Sequence, residues 1–243
     1  MKQPKVLSIA GFDPSAGAGI LADIKTFKHF NVYGFGILSA ITAQNETEIT
    51  EVKWISRMEI KKQVDILFKK HKISVAKIGI IQNLETLIWL IDLLRFYNPH
   101  IKVLWDPIIK STSGFNFWKN NDTYSLNKVI NCIDIVTPNQ YEYISLWGKN
   151  HSLDTFPNSI SVLYKSAIKN SRSVIDILWW KKQKFIFKQT RLNGLDKHGT
   201  GCILSAGIAA NLTIGLELDE AYKKAKEHLI EYMQSSNSLL GIT

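Results

Sequence analysis

Short apolar runs that end in a polar turn alternate along this chain with segments of helical spacing, and this alternation restricts the fold more than any other feature. Residues 6–10, 33–43, 75–81, 103–105, 133–136 and 160–164 read as strands. Residues 19–30, 58–68, 84–96, 203–212 and 218–233 carry helix-like patterns, as in Ile20, Leu21, Ile24, Phe27 and Phe30. Residues 175–180 and 184–187 read as a hairpin around Lys181-Lys182-Gln183. Strand–helix alternation implies a mostly parallel central sheet with helices on both faces and right-handed crossovers. No repeat, low-complexity tract or linker interrupts residues 1–243, so a single domain is expected. The segment 148–159 is the most loop-like.

In a sheet of this kind ligands bind beyond the carboxyl ends of the strands. Polar sequences stand directly after strands here: Gly11-Phe12-Asp13, Thr42-Ala43-Gln44-Asn45, Asp106-Pro107 and Thr137-Pro138-Asn139. Their placement marks one rim of the sheet as the place to look for chemistry.

Charge and cysteine usage exclude some function classes. The net charge of +9 is carried by lysines spread over several helix-like segments, such as Lys61, Lys62, Lys223 and Lys224, which suits solvated faces better than a nucleic-acid surface. No run approaches the roughly 18 apolar residues of a membrane span. The apolar run near the N-terminus is too short for a secretory signal. Cys132 and Cys202 form no disulfide framework. A cytoplasmic protein with no nucleic-acid or membrane partner is expected.

The run His198-Gly199-Thr200-Gly201-Cys202 opens the apolar helix at 203–212. A glycine-rich turn into a helix presents unpaired N–H groups and the positive end of the dipole, which together suit an anion. Cys202 at that end is expected to have a lowered thiol pKa and could accept a proton. A tight turn into a buried helix, with Cys202 structural, explains the same residues. Asn139 with Glu142 fits a helix capping box and equally fits a magnesium and phosphate site, to which Asp106 could contribute. Gly17-Ala18-Gly19-Ile20-Leu21-Ala22 matches the G-x-G-x-x-A dinucleotide pattern, which keeps an oxidoreductase open. However, Phe12-Asp13-Pro14-Ser15-Ala16 separates it from its strand, and no Gly-Lys-Ser/Thr of a phosphate-binding P-loop follows.

Taken together, residues 9–20, Ala22-Asp23, Thr42-Ala43-Gln44-Asn45, Lys77-Ile78-Gly79, Asp106-Pro107, Thr137-Pro138-Asn139 with Glu142, and His198–Cys202 resemble the hydroxymethylpyrimidine and phosphomethylpyrimidine kinases of thiamine biosynthesis, within the ribokinase superfamily. The resemblance runs nearly end to end. It implies a ribokinase-like three-layer α/β/α sandwich, ATP and Mg2+ as cofactors, a small-molecule pyrimidine as substrate, and a homodimer. It places Gly11, Gln44, Asp23 and Ile80 at the pyrimidine. It gives Asn139 and Glu142 to magnesium and phosphate, and Lys165 to the ATP phosphates. Gly199, Thr200 and Gly201 become the anion hole and Cys202 the catalytic residue. A pyridoxal kinase and a pyrimidine-binding protein without turnover are the neighbouring readings. The chain departs from the family at Ile80, where methionine is usual, and at Lys165-Ser166-Ala167-Ile168, where the family reads Lys-Gly-Gly-His. The stretch between Glu142 and Lys165 is short enough to lack a helix.

Overall fold

Strand β1 (Lys5–Phe12) is buried along almost its whole length, and the rest of the molecule is built outward from it. The structure, a computed structural model, describes residues 3–111, 114–118, 123–170, 172–192 and 194–242. After β1 come α1 (Gly19–His29), β2 (Tyr33–Gln44), β3 (Ile49–Trp54), α2 (Arg57–Phe68), β4 (Val75–Ile78), α3 (Leu84–Tyr97) and β5 (Lys102–Trp105). Then follow α4 (Thr123–Cys132), β6 (Ile135–Val136), α5 (Gln140–Trp147), β7 (Ser161–Lys169), β8 (Ser173–Trp180), β9 (Gln183–Thr190), α6 (Thr200–Thr213) and α7 (Leu218–Gln234).

The strands form one nine-stranded sheet in the order β3-β2-β1-β4-β5-β6-β7-β8-β9. Strands β2 to β7 in that order pair in parallel, and β3, β8 and β9 add antiparallel edges. From β1 the chain steps outward to β2, then returns to place β4 on the other side of β1. The carboxyl ends of β1 and β4 therefore flank a topological switch point, the usual ligand crevice of such sheets.

One buried cluster joins a sheet face to α2, α3, α4 and α5 through residues such as Val64, Leu90, Val129 and Leu146. The other joins the opposite face to α1, α6 and α7 through Phe27, Ile208 and Tyr222. This is the ribokinase-like three-layer sandwich that the alternation and the resemblance implied. Helix α6 is buried from Cys202 to Leu212, as an apolar helix without a polar face must be. Its small residues permit close packing, and a Cβ on Gly207 would stand 2.8 Å from that of Ala225 on α7.

The structure departs from the sequence reading at particular places. The expected strand 75–81 leaves the ladder after Ile78; Gly79 and Ile80 line the crevice, while Ile81 packs into the core. β3 escaped the reading because it is a mostly exposed edge strand. Helix α4 was not read either. Between α5 and β7 the described residues contain no α-helix, only a 3-10 turn at Leu153–Thr155. The β8–β9 hairpin turns at Lys181 and Lys182 with φ of 51° and 61°. Positive φ at both central residues is the geometry that matches strand twist, and here it is made without Asn or Gly.

Candidate active site

Phe12, Gln44, Gly79, Asp106 and Asn139 stand at or just past the carboxyl ends of parallel strands, Lys165 stands mid-way along β7 where it bridges to Asn139, and all face one cavity of about 260 Å³. The N-terminus of α6 closes the cavity from below with Gly199, Thr200, Gly201 and Cys202.

At one end, Lys165 Nζ donates to Asp106 Oδ1 over 2.7 Å. Thr137 donates to the same oxygen over 3.0 Å, and Ser205 on α6 donates to Asp106 Oδ2 over 2.9 Å. Asp106 thus ties the ends of β5 and β6 and the middle of β7 to α6. Burial works against the Lys165 charge, but Asp106 and Glu142 hold it protonated. Asn139 caps α5 by accepting the Glu142 N–H, while Glu142 Oε2 accepts the Asn139 N–H over 2.7 Å. The capping box is therefore real, and it also sets Glu142 in the cavity wall. Burial pushes the Glu142 carboxyl up to about 7, against the pull of Lys165 and with Asp106 adding to the rise.

Gly199 adopts φ of 77°, and a Cβ there would stand 1.9 Å from the Gly17 carbonyl oxygen. Only glycine fits this approach between the N-terminal loop and the start of α6. The first-turn N–H groups of α6 have no intrahelical acceptor and point out of the helix end. Cys202 is the third residue of α6. Its thiol does not have the lowered pKa expected from the sequence. Burial pushes it up to about 11, Lys77 opposes the rise, and Asp23 and Asp106 add to it. Loss of hydration outweighs the helix end and the nearby ammonium.

At the other end, Ile80 packs over Gly11, where a Cβ would meet Ile80 Cδ1 at 2.4 Å. Gly11 therefore makes room for the Ile80 side chain, which lines the cavity. Gln44 lines it too, close enough to Asp13 to help lower that carboxyl. Asp23 does not reach the cavity. It lies under the floor, fully buried, where Lys77 Nζ donates to its two oxygens over 2.7 and 2.8 Å and Ser8 donates over 2.5 Å. Its strong anchoring partner is Lys77, which itself lines the cavity. The resemblance implied that Asp23 lies at the pyrimidine, but one turn into α1 its side chain points back at Ser8 of β1 and Lys77 of β4.

Asp13 and Asp176 hold roles that the sequence motifs do not assign. Asp13 accepts from the N–H and hydroxyl of Ser15, from the Ala18 N–H, and pairs with His198 Nε2 at 2.8 Å. It locks the N-terminal loop to the α6 turn. Burial works to raise the Asp13 carboxyl, but its partners His198, Gln44 and Ser15 prevail and bring it down to about 2. Asp followed two residues later by Ser is a turn signal that could have exposed this role. Asp176 on β8 accepts from the Ser166 N–H, Tyr222 and Lys226, each over 2.7 Å. An aspartate inside the apolar strand stretch 174–178 was the available clue. Ser166 sits at φ of 51°, where the resembled family has glycine.

Oxygen donors clustered against a lysine and a helix N-terminus are chemistry that suits an anionic ligand, and the fold around them is that of the ribokinase-like kinases. The phosphomethylpyrimidine kinase family model matches residues 13–241. A hydroxymethylpyrimidine/phosphomethylpyrimidine kinase from Aquifex aeolicus is 34% identical, over 96% of this chain and 95% of that protein. A crystal structure of phosphomethylpyrimidine kinase from Clostridium difficile superposes with a TM-score of 0.77 at 30% identity, over 94% of this chain and 99% of that one. A pyridoxal kinase from Staphylococcus aureus in complex with AMP-PCP shares the fold, with a TM-score of 0.81 at 22% identity, over 97% of this chain and 89% of that one. The chain belongs to the phosphomethylpyrimidine kinase family, whose members act in thiamine biosynthesis, and it is an enzyme of the kinase class.

Proposed function

We propose that this chain transfers the γ-phosphoryl group of ATP to 4-amino-5-hydroxymethyl-2-methylpyrimidine and to its monophosphate. The observation that carries this is the arrangement of one cavity: the α6 N-terminus in the middle, Lys165, Asp106 and Glu142 at one end, and Gly11, Ile80 and Gln44 at the other. A flat heterocycle fits between Ile80 and the Gln44 amide. Its hydroxymethyl arm then points at Cys202, and the triphosphate lies toward Lys165.

The carboxylates of Glu142 and Asp106 with the Asn139 amide offer the oxygen donors a hard cation takes. They would hold Mg2+, partly through water, and the ion would offset charge on the phosphates. A nearby cation would also favour the ionised form of Glu142. Lys165 neutralises a phosphate oxygen. The N–H groups of Thr200, Gly201 and Cys202 hold the equatorial oxygens as charge spreads over them, and positioning of this kind supplies most of the acceleration in phosphoryl transfer. As the substrate oxygen bonds to the γ-phosphorus and the bond to the β,γ-bridging oxygen breaks to release ADP, the hydroxyl proton passes to the Cys202 sulfur, which must be a thiolate to accept it. A monophosphate acceptor has no such proton to lose, so the second transfer leans less on Cys202. The chain is taken to work in the cytoplasm as one kinase domain within a homodimer.

The test is incubation with Mg-ATP and each of three acceptors: the pyrimidine, its monophosphate and pyridoxal. Mass spectrometry should find pyrimidine mono- and pyrophosphate. Product from pyridoxal alone would move the assignment to that vitamin. No product from any acceptor would leave a binding role.

A further inference from the structure

Helix α1 ends at His29, and its ring stacks on His228 of α7 with centroids 3.8 Å apart. Glu231 lies three residues beyond His228, on the same face of α7. One ligand atom from each of His29, His228 and Glu231 lies within 4.8 Å of the others. His29 and Glu231 are exposed, whereas His228 is only 4% exposed. Among the described residues, neither ring nitrogen of His228 has a hydrogen-bond partner. A buried polar group left unpaired is costly, and native structures rarely keep one without a reason. Nothing in the kinase reaction uses these residues. The first residue of α1 touches the active site, while His29 is ten residues further on, about 15 Å along the helix.

We propose that His29, His228 and Glu231 form a site for a divalent transition cation of the zinc class. Two imidazoles and one carboxylate are the donors such ions prefer, and the set leaves a fourth position for water. Magnesium and calcium, which take oxygen donors, are poorly served. His228 brings to the site a buried ring whose nitrogens bond to no other described residue. The negative end of the α1 dipole lies at the same spot and favours a cation. Phe30 sets its ring edge-on to both histidines and gives the site an apolar wall. The bound ion would clip α1 to α7, two helices packed on opposite flanks of α6.

Because its ligands come from two helices, the ion binds the folded protein only and stabilises it by linkage. The experiment is a calorimetric titration of chelator-treated protein with Zn2+, in millimolar Mg2+, together with thermal unfolding. Wild type should take up one equivalent that His29→Phe and Glu231→Gln lose or bind at least about tenfold more weakly. A hundredfold excess of zinc over Kd should raise Tm by about 5 °C or more in wild type and not in the variants. His29→Phe keeps a ring against His228 and so separates ligation from packing. Kinase activity in Mg-ATP should be the same in all three proteins. Identical zinc titrations in wild type and both variants would overturn the proposal. So would an equivalent that survives in His29→Phe but disappears in Cys202→Ala, because the metal would then sit on the active-site thiol.

Discussion

Two aspartate–lysine pairs stand close together in this molecule, each with a 2.7 Å contact, and they do different work. Asp23 and Lys77 have side chains 0% exposed, and although Lys77 touches the cavity wall, Asp23 lies wholly beneath it. Asp106 and Lys165 are almost as buried, but the Lys165 side chain keeps 11% of its surface open to the cavity. The first pair fixes α1 to β4 beneath the floor. The second holds a cation where phosphate is expected. Pair chemistry alone does not tell structure from function; what differs is that both members of the second pair line the cavity, whereas Asp23 of the first does not.

The largest expected effect breaks the hidden pair. Asp23→Ala leaves the Lys77 ammonium buried without its partner, which should cost about 3–5 kcal/mol in a denaturant unfolding curve. If stability hardly changes and activity is lost, Asp23 belongs with the catalytic groups and the contrast fails. Lys165→Met is the matching change at the open pair. It should lower kcat/KM by about 10²–10³, as loss of one transition-state donor does, with a smaller loss of stability. Asp106→Asn should follow it in steady-state kinetics.

Cys202 sharpens the comparison, since it lies between the two lysines. Cys202→Ala should reduce phosphorylation of the hydroxyl about 10²-fold and affect the monophosphate much less. With the thiol near 11, deprotonation grows as pH rises. The wild-type rate of the first step should therefore climb from neutral toward pH 10, and the second step should not. A flat profile in the first step would remove the cysteine from the proton transfer.

The smallest effect concerns Asp13, the carboxylate that ties the N-terminal loop to His198. Its folded value of about 2 lies below the ordinary 3.8, so it stabilises the fold above about pH 4. That contribution fades as pH falls through about 2. Asp13→Asn should flatten stability between pH 4 and pH 2, read from denaturant midpoints, and cost about 1 kcal/mol at pH 7.

Much of this was legible in the chain. Strand–helix alternation fixed the layered fold because parallel strands need crossovers and buried faces. Polar residues placed just after strands marked the rim, since a polar group there faces the ligand crevice. The Asn139–Glu142 spacing announced a helix start whatever its other role. Lys165 could be located only by resemblance, and the structure brings it to Asp106 through the register of β7 on β6.

What spacing could not supply was the direction in which a side chain points and the water it retains. Asp23 and Asp106 are both aspartates beside cavity motifs, yet one turn of helix aims the first inward and a strand end leaves the second at the opening. Cys202 has the helix-end position that lowers a thiol pKa, and close packing reverses the outcome by removing hydration. His29 and His228 lie far apart in sequence, and only the packing of α1 and α7 against α6 stacks their rings. The order of residues sets periodicity and turn chemistry, which are local. Desolvation and pairing between distant segments arise when the sheet and its two helix layers close, and those decided which groups became chemistry.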